Sequence, residues 1–197
     1  MHNNQYATKW IVCHAFAPQA PRRLFCFPYA GGGASIFRDW PARLSSHAEI
    51  CAIQLPGREN RLQEAPVTQM HGLIESVASA LLPYMDDKPF ALFGHSMGAL
   101  LCYELARFLW TNYALSPVRL FVSGCRAPHR QRISLSATKK RVCDLSDAAL
   151  LQRMRQLNGT SLAVLHDDEL MKLLLPAIRA DFTLAENYTY IGDGTLD

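Results

Sequence analysis

Long apolar runs are missing from this sequence of 197 residues. No window approaches the ~18 consecutive apolar residues that a membrane-spanning helix needs. The apolar stretch near the N-terminus, Trp10 to Phe16, is interrupted by His14 and has neither a preceding basic segment nor a small-residue cleavage site. A signal peptide is therefore not predicted, and we expect a cytoplasmic protein with no membrane contact.

Runs of like charge are also short. The net charge is only +3, and the longest basic run is Lys139-Lys140-Arg141. Because runs of this length usually form solvated faces, the charge pattern predicts no nucleic-acid partner. Hydrophobic residues make up 49% of the chain, which is typical of one globular domain with a buried core.

Cysteine pairs with metal-binding or redox spacing are absent too. The six cysteines are Cys13, Cys26, Cys51, Cys102, Cys125 and Cys143. None forms a Cys-x-x-Cys pair, and no cysteine–histidine cluster has the spacing of a zinc site. Several lie inside apolar segments, where a free thiol behaves as a small hydrophobic group. We therefore predict reduced cysteines, no disulfide framework and no metal site.

The sequence does contain an alternation of strand and helix patterns. Short apolar runs predict strands at residues 24–27, 49–55, 89–93 and 118–123. Helical spacing of apolar residues predicts helices at 34–44, at 68–82 with Thr68 as the N-cap, and at 99–110. This alternation is typical of α/β proteins, in which a mostly parallel sheet is flanked by helices.

After Gly124 the pattern changes to helices alone. Residues 145–157 and 167–184 read as amphipathic helices with no strand between them, and Pro176 is expected to kink the second. A helical insertion after an α/β core is a common position for a substrate-covering lid. The predicted organisation is thus a core at 1–124, a lid at 125–185 and a return toward the core at 186–197.

The strongest motif is Gly94-His95-Ser96-Met97-Gly98, which matches G-x-S-x-G between a predicted strand and a predicted helix. In that setting the serine lies on a sharp, strained turn at the carboxyl end of the sheet. The helix N-terminus stabilises negative charge that develops beside it. We predict Ser96 as a catalytic nucleophile and the two flanking glycines as supporting residues, with a purely structural turn as the alternative.

A second motif, Tyr29-Ala30-Gly31-Gly32-Gly33, follows the first predicted strand. An oxyanion hole in such a fold combines the amide after the nucleophile, here Met97, with an amide from an earlier loop. Ala30 is the predicted second donor and Gly31 the fallback. A plain glycine turn or a phosphate-binding loop is the alternative, although the spacing is not that of a phosphate loop.

His95 lies next to the serine but is not predicted to be its base. Neighbouring residues at such a turn point in different directions, so the imidazole is not expected to reach the Ser96 hydroxyl. We assign His95 a supporting role behind the turn.

Several segments, in the same order along the chain, resemble the stand-alone (type II) thioesterases of peptide and polyketide synthases. They are residues 24–40, Leu55-Pro56-Gly57-Arg58-Glu59, residues 93–98, residues 123–129, and residues 175–182 with Glu186 and Tyr188. The resemblance implies an α/β-hydrolase fold with a helical lid. It also implies hydrolysis of acyl thioesters on the phosphopantetheine arm of acyl or peptidyl carrier domains. That reaction clears misprimed or stalled synthases of secondary metabolites such as antibiotics or siderophores.

One departure from the family pattern concerns the rest of the catalytic triad. The resemblance implies an Asp after the next core strand and a His near the C-terminus, both beyond Asp197. Asp193 and Asp197 precede the expected position, His129 belongs to another motif, and His166 falls in the lid. We therefore expect the last strands of the core to be absent from these residues as well.

The resemblance further implies no cofactor of the protein's own, because the pantetheine arm arrives on the carrier partner, and we expect a monomer. The lid is predicted to cover an acyl chamber, with extra core packing as the alternative. Arg22 and Arg23 are either solvated or meet an acidic carrier surface. Two other functions stay open: an esterase or acyltransferase acting on small-molecule esters, and a truncated, catalytically incompetent carrier-binding remnant.

The sequence predicts that the 197-residue chain by itself is inactive and prone to aggregate, because a serine without its base is a weak nucleophile and an open sheet edge recruits other chains. Size-exclusion chromatography and thioester hydrolysis, run beside the full-length gene product, test this. A soluble, Ser96-dependent hydrolase of this length would contradict it.

Overall fold

The computed structural model describes residues 8–85, 87–130, 141–157 and 167–191. Its strands are β1 Ile11–Val12, β2 Arg23–Phe27, β3 Glu49–Ile53, β4 Phe90–His95 and β5 Arg119–Ser123. Its α-helices are α1 Pro41–Leu44, α2 Met70–Leu81, α3 Met97–Tyr113, α4 Asp147–Leu157 and α5 Asp168–Glu186. Short 3₁₀ turns lie at Ala34–Phe37, Glu59–Arg61, Leu82–Tyr84, Pro128–Arg130 and Val142–Asp144.

The strands form one sheet in the order β1-β3-β2-β4-β5. The four longer strands are parallel, and β1 runs antiparallel to β3 through two residue pairs. The predicted α/β fold with a mostly parallel sheet is confirmed. Strand β1 was not predicted from the sequence, since two residues are too few to show an alternating pattern.

Helices cover both faces of the sheet, as the alternation of side chains along β2 illustrates. Phe25 and Phe27 belong to the core shared with α2 and α3. Leu24 and Cys26 belong to the opposite core, which is closed by the turn Ala34–Phe37. A strand buried on both faces explains why β2 reads as a continuous apolar run rather than as an alternation.

Two predicted helices differ in detail. The single helix expected at residues 34–44 is instead the 3₁₀ turn Ala34–Phe37 followed by α1. Pro41 begins α1, where its missing N–H costs no intrahelical bond, and this restart separates the two pieces. Thr68 is not the N-cap of α2, because Gln69 occupies that position and makes no side-chain capping bond.

Helices α4 and α5 pack against each other around a separate apolar cluster. Its buried members are Leu150, Met154, Met171, Leu175 and Ile178. Arg179 of α5 also donates hydrogen bonds to the carbonyls of Cys143 and Leu145, at 2.7 Å each. Helix α5 runs on through Pro176, so the proline does not end it. The predicted absence of a strand between these helices concerns residues 158–166, which lie outside the described residues.

Strand β5 forms one edge of the described sheet, and its surroundings are apolar yet open to solvent. Phe121, Val122 and Trp110 expose 51%, 57% and 60% of their surface. An exposed edge with apolar side chains is a template for pairing with another strand. Among the described residues, no helix is both long and apolar enough to cross a membrane.

No disulfide joins any of the six cysteines, all of which lie among the described residues. Burial raises the pKa of the Cys26 and Cys102 thiols above the usual value, so neither is an effective nucleophile at neutral pH. The Cys13 and Cys51 sulfurs lie 3.6 Å apart on neighbouring segments of the sheet.

Arg23 is buried, so it is neither solvated nor part of a carrier-facing surface as the sequence analysis considered. Its guanidinium contacts the Glu49 carboxylate at 2.9 Å and Asp87 at 2.8 Å, and both Arg23 and Glu49 are fully buried. Only Arg22 of the pair is exposed. Two adjacent arginines look alike in the sequence, but Arg23 is the first residue of β2, in which every residue is buried, whereas Arg22 precedes the strand.

This buried network predicts a large stability difference between two charge deletions. Glu49→Ala leaves the buried Arg23 without its fully buried carboxylate partner, which should lower the free energy of unfolding by about 3–5 kcal/mol. Lys9→Ala removes one partner of the exposed Lys9–Glu64 pair and should cost less than about 1 kcal/mol. Urea unfolding of the full-length gene product measures both. Equal losses would contradict the structural role of the network.

Candidate active site

Two loops leave the carboxyl ends of neighbouring strands side by side. Strands β2 and β4 are parallel, and Phe27 pairs with Gly94 at the last register position. The loop 28–33 and the turn at Ser96 therefore both begin at the carboxyl ends of the parallel strands. The structure thus brings together the two motifs that the sequence analysis identified separately.

Ser96 occupies a sharp turn between β4 and α3. Its backbone has φ 53° and ψ −117°, a combination that a residue with a Cβ rarely adopts. The Ser96 amide donates a hydrogen bond of 2.8 Å to the Ser123 carbonyl at the end of β5, which fixes the turn to the neighbouring strand. Ser96 is half-buried at the N-terminus of α3, where the helix favours negative charge.

The two glycines of the motif allow the helix to approach the strands closely. A Cβ at Gly94 would lie 2.1 Å from the Gly98 carbonyl oxygen, and one at Gly98 would lie 2.4 Å from the Phe27 oxygen. Both contacts are with backbone atoms, which cannot move aside as a flexible side chain could. The strained serine is therefore held between two positions at which only glycine fits.

The His95 side chain packs against β5 and the residue after it. Its Nδ1 lies 3.1 Å from the Ser123 hydroxyl oxygen. The ring covers Gly124, at which an added Cβ would lie 2.4 Å from the imidazole. Tyr29 meets the same ring edge-on, with centroids 6.1 Å apart. His95 thus contacts the surroundings of the turn, and its supporting role stays a prediction.

Two backbone amides beside Ser96 are uncommitted within the described residues. Met97 is the first residue of α3, so its N–H has no intrahelical acceptor. The Ala30 N–H likewise makes no backbone or side-chain hydrogen bond to any residue that the structure describes. The Gly31 N–H, by contrast, donates to the Asp181 carboxylate at 2.7 Å. In this arrangement Gly31 cannot serve as the fallback donor, and Ala30 stays the predicted one.

Sequence reasoning missed a buried ion pair at the loop. Arg58 donates to both carboxylate oxygens of Asp181, at 2.7 and 2.8 Å, and to the Gly32 carbonyl at 3.0 Å. Both residues lie in segments that carried the family resemblance. Their pairing spans 123 positions, so neither local periodicity nor motif spacing could have revealed it.

The described residues contain no base in contact with the Ser96 hydroxyl. His129 lies in the turn Pro128–Arg130, and its ring faces Tyr190 at 6.5 Å between centroids. His166, Asp193 and Asp197 lie outside the described residues. Within the described part of the chain, no cluster of three His, Cys, Asp or Glu side chains could bind a metal ion. The predicted position of the triad Asp and His beyond Asp197 stays a prediction.

A strained serine between a parallel strand and a helix, beside a glycine-rich loop from the adjacent strand, defines a protein of the α/β-hydrolase type. The sequence profile described as "Thioesterase domain" matches residues 22–195. The chain therefore belongs to the thioesterase family, and its enzyme class is a thioesterase of the serine-hydrolase type. The resemblance drawn from the motifs is confirmed.

Individual relatives agree with this membership. The chain is 45% identical over 185 residues to the gramicidin S biosynthesis protein GrsT of Aneurinibacillus migulanus, covering 94% of this chain and 70% of that protein. It is 40% identical to thioesterase PikA5 of Streptomyces venezuelae, covering 92% of this chain and 62% of that protein.

Solved structures agree as well. The chain resembles the type II thioesterase BorB from the borrelidin cluster with a TM-score of 0.85 at 39% identity, covering 98% of this chain and 76% of that one. The thioesterase RedJ of the prodiginine pathway in Streptomyces coelicolor gives a TM-score of 0.81 at 43% identity, covering 92% of this chain and 69% of that one.

Two helical glycines predict opposite effects of the same substitution. Gly98→Ala places a methyl group against the Phe27 carbonyl and should cost about 1–3 kcal/mol or more. Gly72→Ala in α2 meets nothing within 4 Å and should stabilise by about 0.4–1 kcal/mol, because alanine restricts the unfolded chain. Thermal unfolding of both variants of the full-length gene product is the measurement. A neutral Gly98→Ala would show that the helix does not press on the strand.

Proposed function

We propose that this protein hydrolyses acyl thioesters on the phosphopantetheine arm of carrier domains, and so clears misprimed or stalled peptide or polyketide synthases. The observation that carries the proposal is the strained backbone of Ser96 at the N-terminus of α3, beside the loop after β2. The names of its relatives support the synthase context, since they include biosynthesis proteins and type II thioesterases of such pathways.

In the proposed reaction the Ser96 oxygen attacks the thioester carbonyl while a base removes its proton. The resemblance assigns the base to a histidine that follows the lid and is oriented by an aspartate. The developing oxyanion accepts hydrogen bonds from the amides of Met97 and Ala30, neither of which is committed elsewhere among the described residues. The pantetheine thiol then leaves with the proton, and water releases the acid from the acyl-serine.

The α4–α5 pair is the proposed lid. Helix α5 packs directly on the loop of the predicted oxyanion donor, because an added Cβ at Gly31 would lie 2.9 Å from the Ile178 side chain. A helix in that position can cover an acyl group bound at Ser96 and keep water out until the acyl-serine has formed. The boundaries proposed for this organisation are 1–124 for the core and 125–185 for the lid.

The proposed partners are acyl or peptidyl carrier domains, which bring the pantetheine arm with them. No cofactor of the protein's own takes part in the proposed chemistry, because the serine, its base and two amides supply every step. We propose that the enzyme acts as a monomer, with one site for each chain.

The test compares hydrolysis of one acyl group in three forms by the full-length gene product: on a carrier protein, on free pantetheine and as an oxygen ester. Wild-type protein should have the highest kcat/KM on the carrier thioester. Ser96→Ala should lower turnover about 10³-fold or more, because triad members act as a unit. Ser46→Ala, which alters an exposed loop serine, is the matched control and should leave turnover unchanged.

Three outcomes would contradict the proposal. Hydrolysis that persists in Ser96→Ala would remove the serine from the mechanism. A preference for the oxygen ester would favour the small-molecule esterase, and carrier binding without hydrolysis by wild-type protein would favour the carrier-binding remnant.

A further inference from the structure

The loop of the predicted oxyanion donor is attached to the lid by one carboxylate. Asp181 of α5 is 3% exposed. Its Oδ2 accepts the Gly31 amide at 2.7 Å and the Arg58 Nη1 at 2.7 Å, and its Oδ1 accepts Arg58 Nη2 at 2.8 Å. Arg58 is equally buried, and its Nη1 also donates to the Gly32 carbonyl at 3.0 Å. One ion pair thus binds two successive residues of the loop.

Packing reinforces this attachment on the same face of α5. Ile178 precedes Asp181 by three positions, so both side chains project from one side of the helix toward the loop. Gly31 has φ +82°, and an added Cβ there would meet Ile178 at 2.9 Å. The loop therefore adopts a conformation suited to glycine at the point where the helix touches it.

Hydrogen bonding at Gly31 also determines the orientation of Ala30. The Gly31 N–H and the Ala30 carbonyl belong to one planar peptide group, so fixing the N–H fixes one side of Ala30. A charged acceptor makes this bond shorter and stronger than a neutral one would. Gln54 binds the far end of the loop, accepting the Ala34 amide at 2.9 Å and donating to the Arg58 carbonyl at 3.0 Å.

We propose that Asp181 is a positioning residue, which from helix α5 fixes the conformation of the loop 28–33. The Ala30 amide then points at the oxyanion only while α5 is packed against this loop. The proposal rests on the proposed function of Ser96 and Ala30. Arg58 holds the Asp181 carboxylate in place through two hydrogen bonds. Docking of the lid and completion of the oxyanion hole then become one event, which restricts attack by Ser96 to the covered site.

The test must separate the hydrogen bond to Gly31 from the stability of the ion pair. Arg58→Met/Asp181→Asn keeps an acceptor for the Gly31 amide and leaves neither of these two positions charged. Arg58→Met/Asp181→Leu has the same loss at Arg58 and a side chain of similar size, but it offers no acceptor. Replacing a buried ion pair by apolar groups is often neutral for stability, so both double variants should fold.

We expect kcat on the carrier thioester to be about 10²-fold lower for the Leu variant than for the Asn variant, because small misplacements at a reacting centre cost that much. KM should agree within about 3-fold between the two variants. The hydrogen bond from the Ala30 amide to the oxyanion, which the Leu variant misaligns, forms only in the transition state. Hydrogen exchange at the Gly31 amide, in the full-length gene product, should be faster in the Leu variant. Glu169→Gln, at an exposed position of α5, is the control and should change neither quantity.

Equal kcat in the two double variants, or equal exchange at Gly31, would overturn the proposal. A lower melting temperature of the Leu variant, with the same kcat as the Asn variant, would also overturn the proposal. Asp181 would then have a purely structural role. If the wild-type protein shows no Ser96-dependent hydrolysis, the proposed function fails, and with it the effect on kcat. Exchange at Gly31 would still decide separately whether Asp181 holds the loop.

Discussion

The close approach of α3 to the ends of β2 and β4 is the constraint on which the rest of the site depends. Gly98 lies so near the Phe27 carbonyl that a methyl group has no room, and Gly94 lies equally near Gly98. This contact forces Ser96 into a backbone conformation that would otherwise be avoided. The strain is tolerated because a helix and two strands hold the turn on three sides. The serine is thereby presented at the sheet edge with a helix N-terminus behind it.

A second constraint acts from the opposite side of the loop after β2. The buried pair of Arg58 and Asp181 joins three segments that are far apart in the chain: the turn after β3, the glycine loop and α5. Burying two charges costs free energy that hydrogen bonds help to offset, and the Gly32 carbonyl and the Gly31 amide provide such bonds. Helix α5 is therefore attached to the loop after β2 by polar contacts of defined direction as well as by apolar packing.

Solvent reaches the strands of the described sheet to different degrees, which affects the tendency of the protein to associate with other chains. Helices cover both faces of β2 and β3, whereas β5 presents Phe121 and Val122 to solvent at an edge. Edge strands of this kind pair readily with other strands. The buried network around Arg23 and Glu49, by comparison, closes the amino ends of β2 and β3 with fully covered charges. The β5 edge therefore exposes apolar side chains, whereas the amino ends of β2 and β3 bury charged ones.

The sequence by itself determined the order of the four longer strands and of the helices that follow them, the turn at Ser96 and the glycine loop at Ala30, because these depend on short local patterns. It also carried enough motifs to indicate the family. It did not separate the burial of Arg23 from the exposure of Arg22, split the helix expected at 34–44, or reveal β1. Only the tertiary structure brought Asp181 to Gly31, 150 positions away. Such pairings form only when helices and strands from distant parts of the chain pack together, and a short stretch of sequence does not specify that packing.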